Sequence, residues 1–155
     1  MSANSFDLVN DTVMGGRSRS QVQAGSEGTF RFFGFLSLEN GGGFASCRTG
    51  TAAGFPKTGQ SFVLRFRPDN RSYSVNLYPR NAPVAFSYRA PLRGVEEAWT
   101  EAILVETDFV PTRLGKIVGP PSLGIFSTIE AWGIMIADRV SGPFQFDFQG
   151  VESGS

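Results

Sequence analysis

A chain of 155 residues has the size of one ordinary domain and can bury about two-thirds of the surface its unfolded form exposes, so it needs no disulfide staple. Its 14 basic and 14 acidic residues cancel, which leaves no long-range field to draw it toward nucleic acid or anionic lipid. The opening MSANSFDLVND has no basic segment followed by an apolar run, and no stretch approaches the ~18 uninterrupted apolar residues of a membrane span, so a cytoplasmic protein without membrane insertion is expected.

Nineteen glycines, 9 prolines and 15 phenylalanines punctuate the chain often and favour pleated surfaces over long helices. In chain order, residues 9–18 (VNDTVMGGRS) predict an irregular, ordered loop, and the dense apolar run 30–38 predicts a central strand. Asn40-Gly41 can reverse the chain into a strand over 44–49. Phe62, Leu64 and Phe66 alternate with polar neighbours, as do Tyr73, Val75 and Leu77; with Pro68-Asp69-Asn70-Arg71 as a turn between them, these two strands predict a hairpin. Val84, Phe86 and Tyr88 alternate likewise. Residues 99–105 and 129–137 read as strands covered on both sides, separated by a long glycine- and proline-bearing loop over 111–128 with one short helical turn. Phe144, Phe146 and Phe148 give the clearest period of two, and residues 151–155 read as a frayed tail. Eight short strands without helical crossovers imply an all-β antiparallel sandwich of jelly-roll type, one domain with its core at about 6–151, with a closed barrel as the structural alternative.

Histidine is absent, which removes the usual general base and the commonest zinc ligand together. The lone Cys47 has neither a histidine partner nor a second cysteine, and its strand-like setting predicts a buried, inert thiol. Gly15-Gly16 and Gly41-Gly42-Gly43 fit neither phosphate-cradling pattern, so tight turns explain them better. No catalytic residue, cofactor or dedicated metal site is assigned. Two surfaces are candidates for binding. The loop offers Asn10, Asp11, Arg17 and Ser18 as polar contacts beside Met14, Gly15 and Gly16, or else Asn10 and Asp11 merely cap local amides while Met14 fills the core. The aromatics Tyr73, Tyr78, Tyr88 and Trp99, with Arg71, Asn76 and Arg89 as polar partners, would suit a carbohydrate. RNA is a third reading, since Arg65, Arg67, Arg71, Arg80, Arg89 and Arg93 fall in one stretch, although the neutral charge weighs against it. Asp7, Asn10, Asp11 and Asp147 are oxygen donors available to a structural calcium.

The loop resembles the opening signature of the complex I intermediate-associated protein 30 family, VNDxVMGGxS, which reads VNDTVMGGRS here. The resemblance continues through FGFLSLENGGGF from Phe33 to Phe44, then Ala45-Ser46 and Arg48. It runs on through Trp99 with its apolar strand, DFVPTRLG from Asp108 to Gly115, GIMIAD from Gly133 to Asp138, and Gly142-Pro143-Phe144. It implies a galactose-binding-like sandwich that is not an enzyme and that holds a protein partner, a respiratory-complex subunit or assembly intermediate in the mitochondrial members. A plant relative is similar in carrying such a domain within a protein acting on a chloroplast transcript. Without an organelle-targeting extension, this chain looks like a stand-alone bacterial-type form, for which a protein client is the first expectation, a carbohydrate the second and RNA the third.

Overall fold

The structure, a computed structural model, describes residues 5–10, 16–149 and 152–154. Among the described residues, thirteen antiparallel strands form two sheets. The strands are β1 (Phe6–Asn10), β2 (Arg19–Ala24), β3 (Thr29–Leu36), β4 (Ala45–Thr49), β5 (Ser61–Pro68), β6 (Tyr73–Pro79), β7 (Phe86–Leu92), β8 (Thr100–Leu104), β9 (Val110–Arg113), β10 (Lys116–Ile117), β11 (Ile129–Ile136), β12 (Gly142–Gln149) and β13 (Glu152–Gly154). A seven-stranded sheet runs β1-β4-β11-β6-β7-β9-β10, and a six-stranded sheet runs β13-β5-β12-β3-β2 with β8 also on β5. The expected all-β sandwich is therefore present, and its two sheets are open rather than closed into a barrel.

The period-two signal explains the layering. Phe62, Leu64 and Phe66 of β5 and Phe144, Phe146 and Phe148 of β12 point inward from one sheet. Cys47, Val75, Leu77, Ala90, Ile134 and Ile136 point inward from the other. The core between them is largely aromatic. Phe6, Phe30, Phe148 and Trp132 meet edge to face or tilted with centroids 5.1–6.2 Å apart, the arrangement that ring quadrupoles favour. Phe66 stacks on Phe146 at 5.5 Å.

Four sequence expectations need correction. β5 and β6 do not form a hairpin: they lie in different sheets, and residues 69–72 carry the chain across the sandwich. The turn chemistry is nevertheless as expected, because Asp69 Oδ1 accepts the Arg71 amide at 2.9 Å. Asp69 also accepts the Tyr73 hydroxyl at 3.0 Å and the Gln145 amide at 2.8 Å, which ties the crossing to both sheets. Strand β8 is not covered on both sides; it pairs only with β5, and Ile103 stays 61% exposed. Part of the expected 111–128 loop is a β9–β10 hairpin whose central residues Leu114 and Gly115 both take positive φ, the backbone of a two-residue hairpin turn. The short helical turn follows at Phe126–Thr128. The tail expected to fray pairs through residues 152–154 with β5.

Candidate functional site

Side chains on the outer face of the seven-stranded sheet form the candidate site. Register places Asp7, Arg48, Gly133, Asn76, Arg89 and Val110 side by side, one from each of six adjacent strands. Cross-strand neighbours share a face, and Cys47, Ile134, Val75 and Ala90 beside them are fully buried, so this row faces away from the core. Arg48 lays its guanidinium over the Tyr78 ring, 3.6 Å from the centroid. The Asn76 side-chain amide donates to the Tyr78 hydroxyl at 3.5 Å, and Arg89 Nε donates to Asn76 Oδ1 at 3.1 Å. Met135 Sδ accepts from both Asn76 and Arg89. Gly133 makes the row this close: a Cβ there would stand 2.3 Å from the Cys47 carbonyl oxygen.

The electrostatics of this row are unusual. Arg31 and Arg67 of the other sheet share Asp147, and Arg71 is paired with Asp138, but no described carboxylate lies within 4.0 Å of Arg48 or Arg89. The Nε of Arg48 is buried without a hydrogen-bond acceptor. Burial lowers the pKa of Arg89, since desolvation disfavours the cation and outweighs the opposing charge effect of the nearby Tyr78. Two cations held by neutral groups have the chemistry to take oxygen-rich ligands, because guanidinium donors gain most from a carboxylate or another dense acceptor.

Of the aromatic and arginine set expected from sequence, the structure brings together Asn76, Tyr78 and Arg89. The others lie elsewhere. Tyr73 is a core residue bonded to Asp69, and Tyr88 packs from the inner face against the core and Phe86. Arg71 is a structural ion-pair partner, with Nε 2.7 Å from Asp138. Trp99 flanks the opposite sheet, 5.3 Å from the Arg67 guanidinium. Arg48 and Met135 were missed as site residues. A charged residue inside the otherwise uncharged and largely buried ASCRT strand is the available signal for Arg48. The arginines of residues 65–93 are dispersed, with Arg65 and Arg67 on the six-stranded sheet and Arg89 on the other.

Of the loop set, Asp11, Met14 and Gly15 lie outside the described residues. Asn10 ends β1 and accepts the Ser20 hydroxyl at 2.7 Å. Gly16 and Ser18 are buried. Ser18 Oγ donates to the Ser37 carbonyl and accepts its amide at 2.9 Å, which locks the loop exit onto the SLEN segment. Arg17 is exposed and approaches Glu39 at 3.8 Å. Arg17, Arg19, Phe35, Ser37, Glu39 and Ser141 line a shallow depression there. Of the calcium candidates, Asp7 belongs to the outer row of one sheet and Asp147 to the opposite sheet, so these two do not converge. Among the described residues no cluster of three His, Cys, Asp or Glu is suited to a metal, and no helix is long and apolar enough to cross a membrane.

The fold defines a galactose-binding-like β-sandwich. The family 11 carbohydrate-binding module of a cellulosomal cellulase of Clostridium thermocellum superposes with a TM-score of 0.64 at 11% identity, covering 97% of this chain and 88% of that one. The same module in complex with a β-1,3-1,4-mixed-linked tetrasaccharide gives 0.61 at 10% identity, covering 95% and 86%. An agarase, AgWH50C, gives 0.61 at 9% identity, covering 98% of this chain and 24% of its own. At these identities the likeness is one of fold. A comparison with curated protein sequences found no match. The chain belongs to the complex I intermediate-associated protein 30 family, whose model matches residues 1–148.

Proposed function

We propose that this domain is a non-catalytic binding module that holds a protein partner, a subunit or assembly intermediate, against the outer face of the seven-stranded sheet. Membership of the family supports a role related to complex I assembly. The observation that carries the choice of surface is the pair Arg48 and Arg89, two partly desolvated cations held by Tyr78, Asn76 and Met135 with no described carboxylate in ion-pairing range. Unpaired charge at a half-buried position costs stability, and such positions persist where a ligand satisfies them. The test is affinity capture from the source cell with the wild-type chain and with the R48E/R89E double variant. A protein retained by the first and lost by the second supports the reading; equal retention by both refutes it.

A second reading is a carbohydrate-binding module, favoured by the solved structures of the same fold. It requires a free aromatic platform, and the only nominated aromatic in the outer cluster, Tyr78, has one ring face covered by Arg48. Calorimetric titration with a β-1,3-1,4-mixed-linked glucan separates the two: measurable heat that disappears in Tyr78→Ala would favour the sugar.

A further inference from the structure

We infer that the segment gripped by this face is an extended, acidic stretch of polypeptide, with carboxylates on one edge spaced to reach Arg48 and Arg89 together. The inference rests on the protein-binding reading above and specifies the chemistry of its partner.

Spacing is the first support. Arg48, Gly133, Asn76 and Arg89 occupy adjacent positions on four neighbouring strands, so three spacings of about 4.8 Å separate the two arginine Cα atoms by about 14 Å. In an extended peptide laid across the strands, side chains on one edge recur every second residue, and residues four apart stand about 13 Å from each other. Acidic residues at positions i and i+4 therefore match the spacing of the two arginine positions along the row. Between them Gly133 and Asn76 are both buried on the same row, so contact with the peptide falls to the two arginine side chains that flank them.

Charge is the second support. Asp7 opposes Arg48 on β1 and Glu130 shares the shallow depression beside Arg48 and Tyr78, yet neither comes within 4.0 Å of the guanidinium. Arg89 uses Nε on Asn76 and one terminal nitrogen on Met135 Sδ, a weak acceptor. Carboxylates are the protein groups that satisfy such donors bidentately. The contrasting cluster on the other sheet shows what satisfaction looks like: Asp147 takes Arg31 at 2.8 Å and Arg67 at 2.7 Å.

The experiment is fluorescence polarisation of the full chain with a labelled decapeptide of alternating Glu and Ser, against the same peptide with Gln for Glu, and against oligogalacturonate as an acidic glycan. Binding of the Glu peptide at low salt, at least tenfold weaker for the Gln peptide, supports the inference. A further loss of tenfold or more in R48Q and in R89Q, with no change in R65Q on the opposite sheet, also supports it. Because a variant can lose structure, amide shift mapping on the wild-type chain is the second measurement, and shifts concentrated at Arg48, Gly133, Asn76 and Arg89 are expected. No binding of the Glu peptide, equal binding of the Gln peptide, shifts confined elsewhere, or binding of oligogalacturonate alone would each overturn it. The two readings fail separately: a captured partner with no acidic segment removes this inference and leaves protein binding intact, whereas Glu-peptide binding with no captured protein does the reverse.

Discussion

Arg48 and Arg71 are both guanidinium groups drawn partly out of water, yet replacing each by Met should have opposite consequences for stability. Arg71 reaches Asp138 through two hydrogen bonds of 2.7 and 2.9 Å and also donates to the carbonyls of Pro143 and Val140. The side chains of the ion pair are only 7% and 11% exposed. R71M strands the Asp138 carboxylate, and breaking a buried pair in this way costs about 3 kcal/mol or more. R48M loses one cation–π contact, about 1 kcal/mol, and removes a buried donor whose lack of an acceptor costs about 1–3 kcal/mol. The thioether can refill the space over Tyr78, so the folded state should be unchanged or up to about 2 kcal/mol more stable. In a chain of this length 1 kcal/mol moves Tm by about 2–4 °C, which places R71M about 6–12 °C below wild type and R48M at or above it. Urea denaturation followed by tryptophan fluorescence, with calorimetry for Tm, reads both. An R48M variant destabilised by more than about 2 kcal/mol would show that Arg48 is retained for folding, and the case for a binding site would lose its main support.

Gly133→Ala drives a Cβ into the backbone of β4 in the middle of the sheet and should cost about 2–3 kcal/mol by urea denaturation. Gly28→Ala meets nothing within 4 Å and should cost only about 1 kcal/mol, for its positive φ. Ser18→Ala leaves the buried amide and carbonyl of Ser37 without their shared hydroxyl and should cost about 1–3 kcal/mol, read by the same assay. Burial pushes the carboxyls of Asp138 and Asp147 up, but the hydrogen bonds and charge of Arg71 on one, and of Arg31 and Arg67 on the other, outweigh it and hold both below their ordinary value. A carboxyl depressed in the folded state contributes stability above its unfolded pKa and loses it as pH falls through the folded one. The fall should therefore begin near about pH 4, with a plateau above about pH 5, and D147N should flatten it in acid-titrated melts. Burial pushes the Cys47 thiol to about 12, so a maleimide at pH 8 should label it only after denaturant unfolds the chain.

Alternation made the layers legible. The inward triads of β5 and β12 could be read residue by residue, and so could Tyr73, Val75 and Leu77 of β6. The assignment of strands to sheets was not legible, because the Asx turn at Asp69 has the same local chemistry whether the chain returns beside itself or crosses the sandwich. Strand β2 escaped notice because RSQVQA is a polar edge, open to water over most of its length. Of the site, Asn76, Tyr78 and Arg89 carried visible chemistry, being polar residues on strands. Arg48 and Met135 join them only through the register of β4 and β11, which a pattern of period two does not encode. The VNDTVMGGRS segment reads in sequence equally as a recognition loop or as a capped, core-filling turn; where described, Ser18 bonds Ser37 and Asn10 bonds Ser20.

The surface assignment is tested most directly by placing a photoreactive side chain at three positions and irradiating in the source cell. Thr51 rims the Arg48–Tyr78 depression, Arg65 lies exposed on the six-stranded sheet, and Arg17 marks the loop end. A specific protein adduct from position 51, absent from position 65 and weak from position 17, is the predicted result. Adducts from position 65 or 17 with none from position 51 would contradict it.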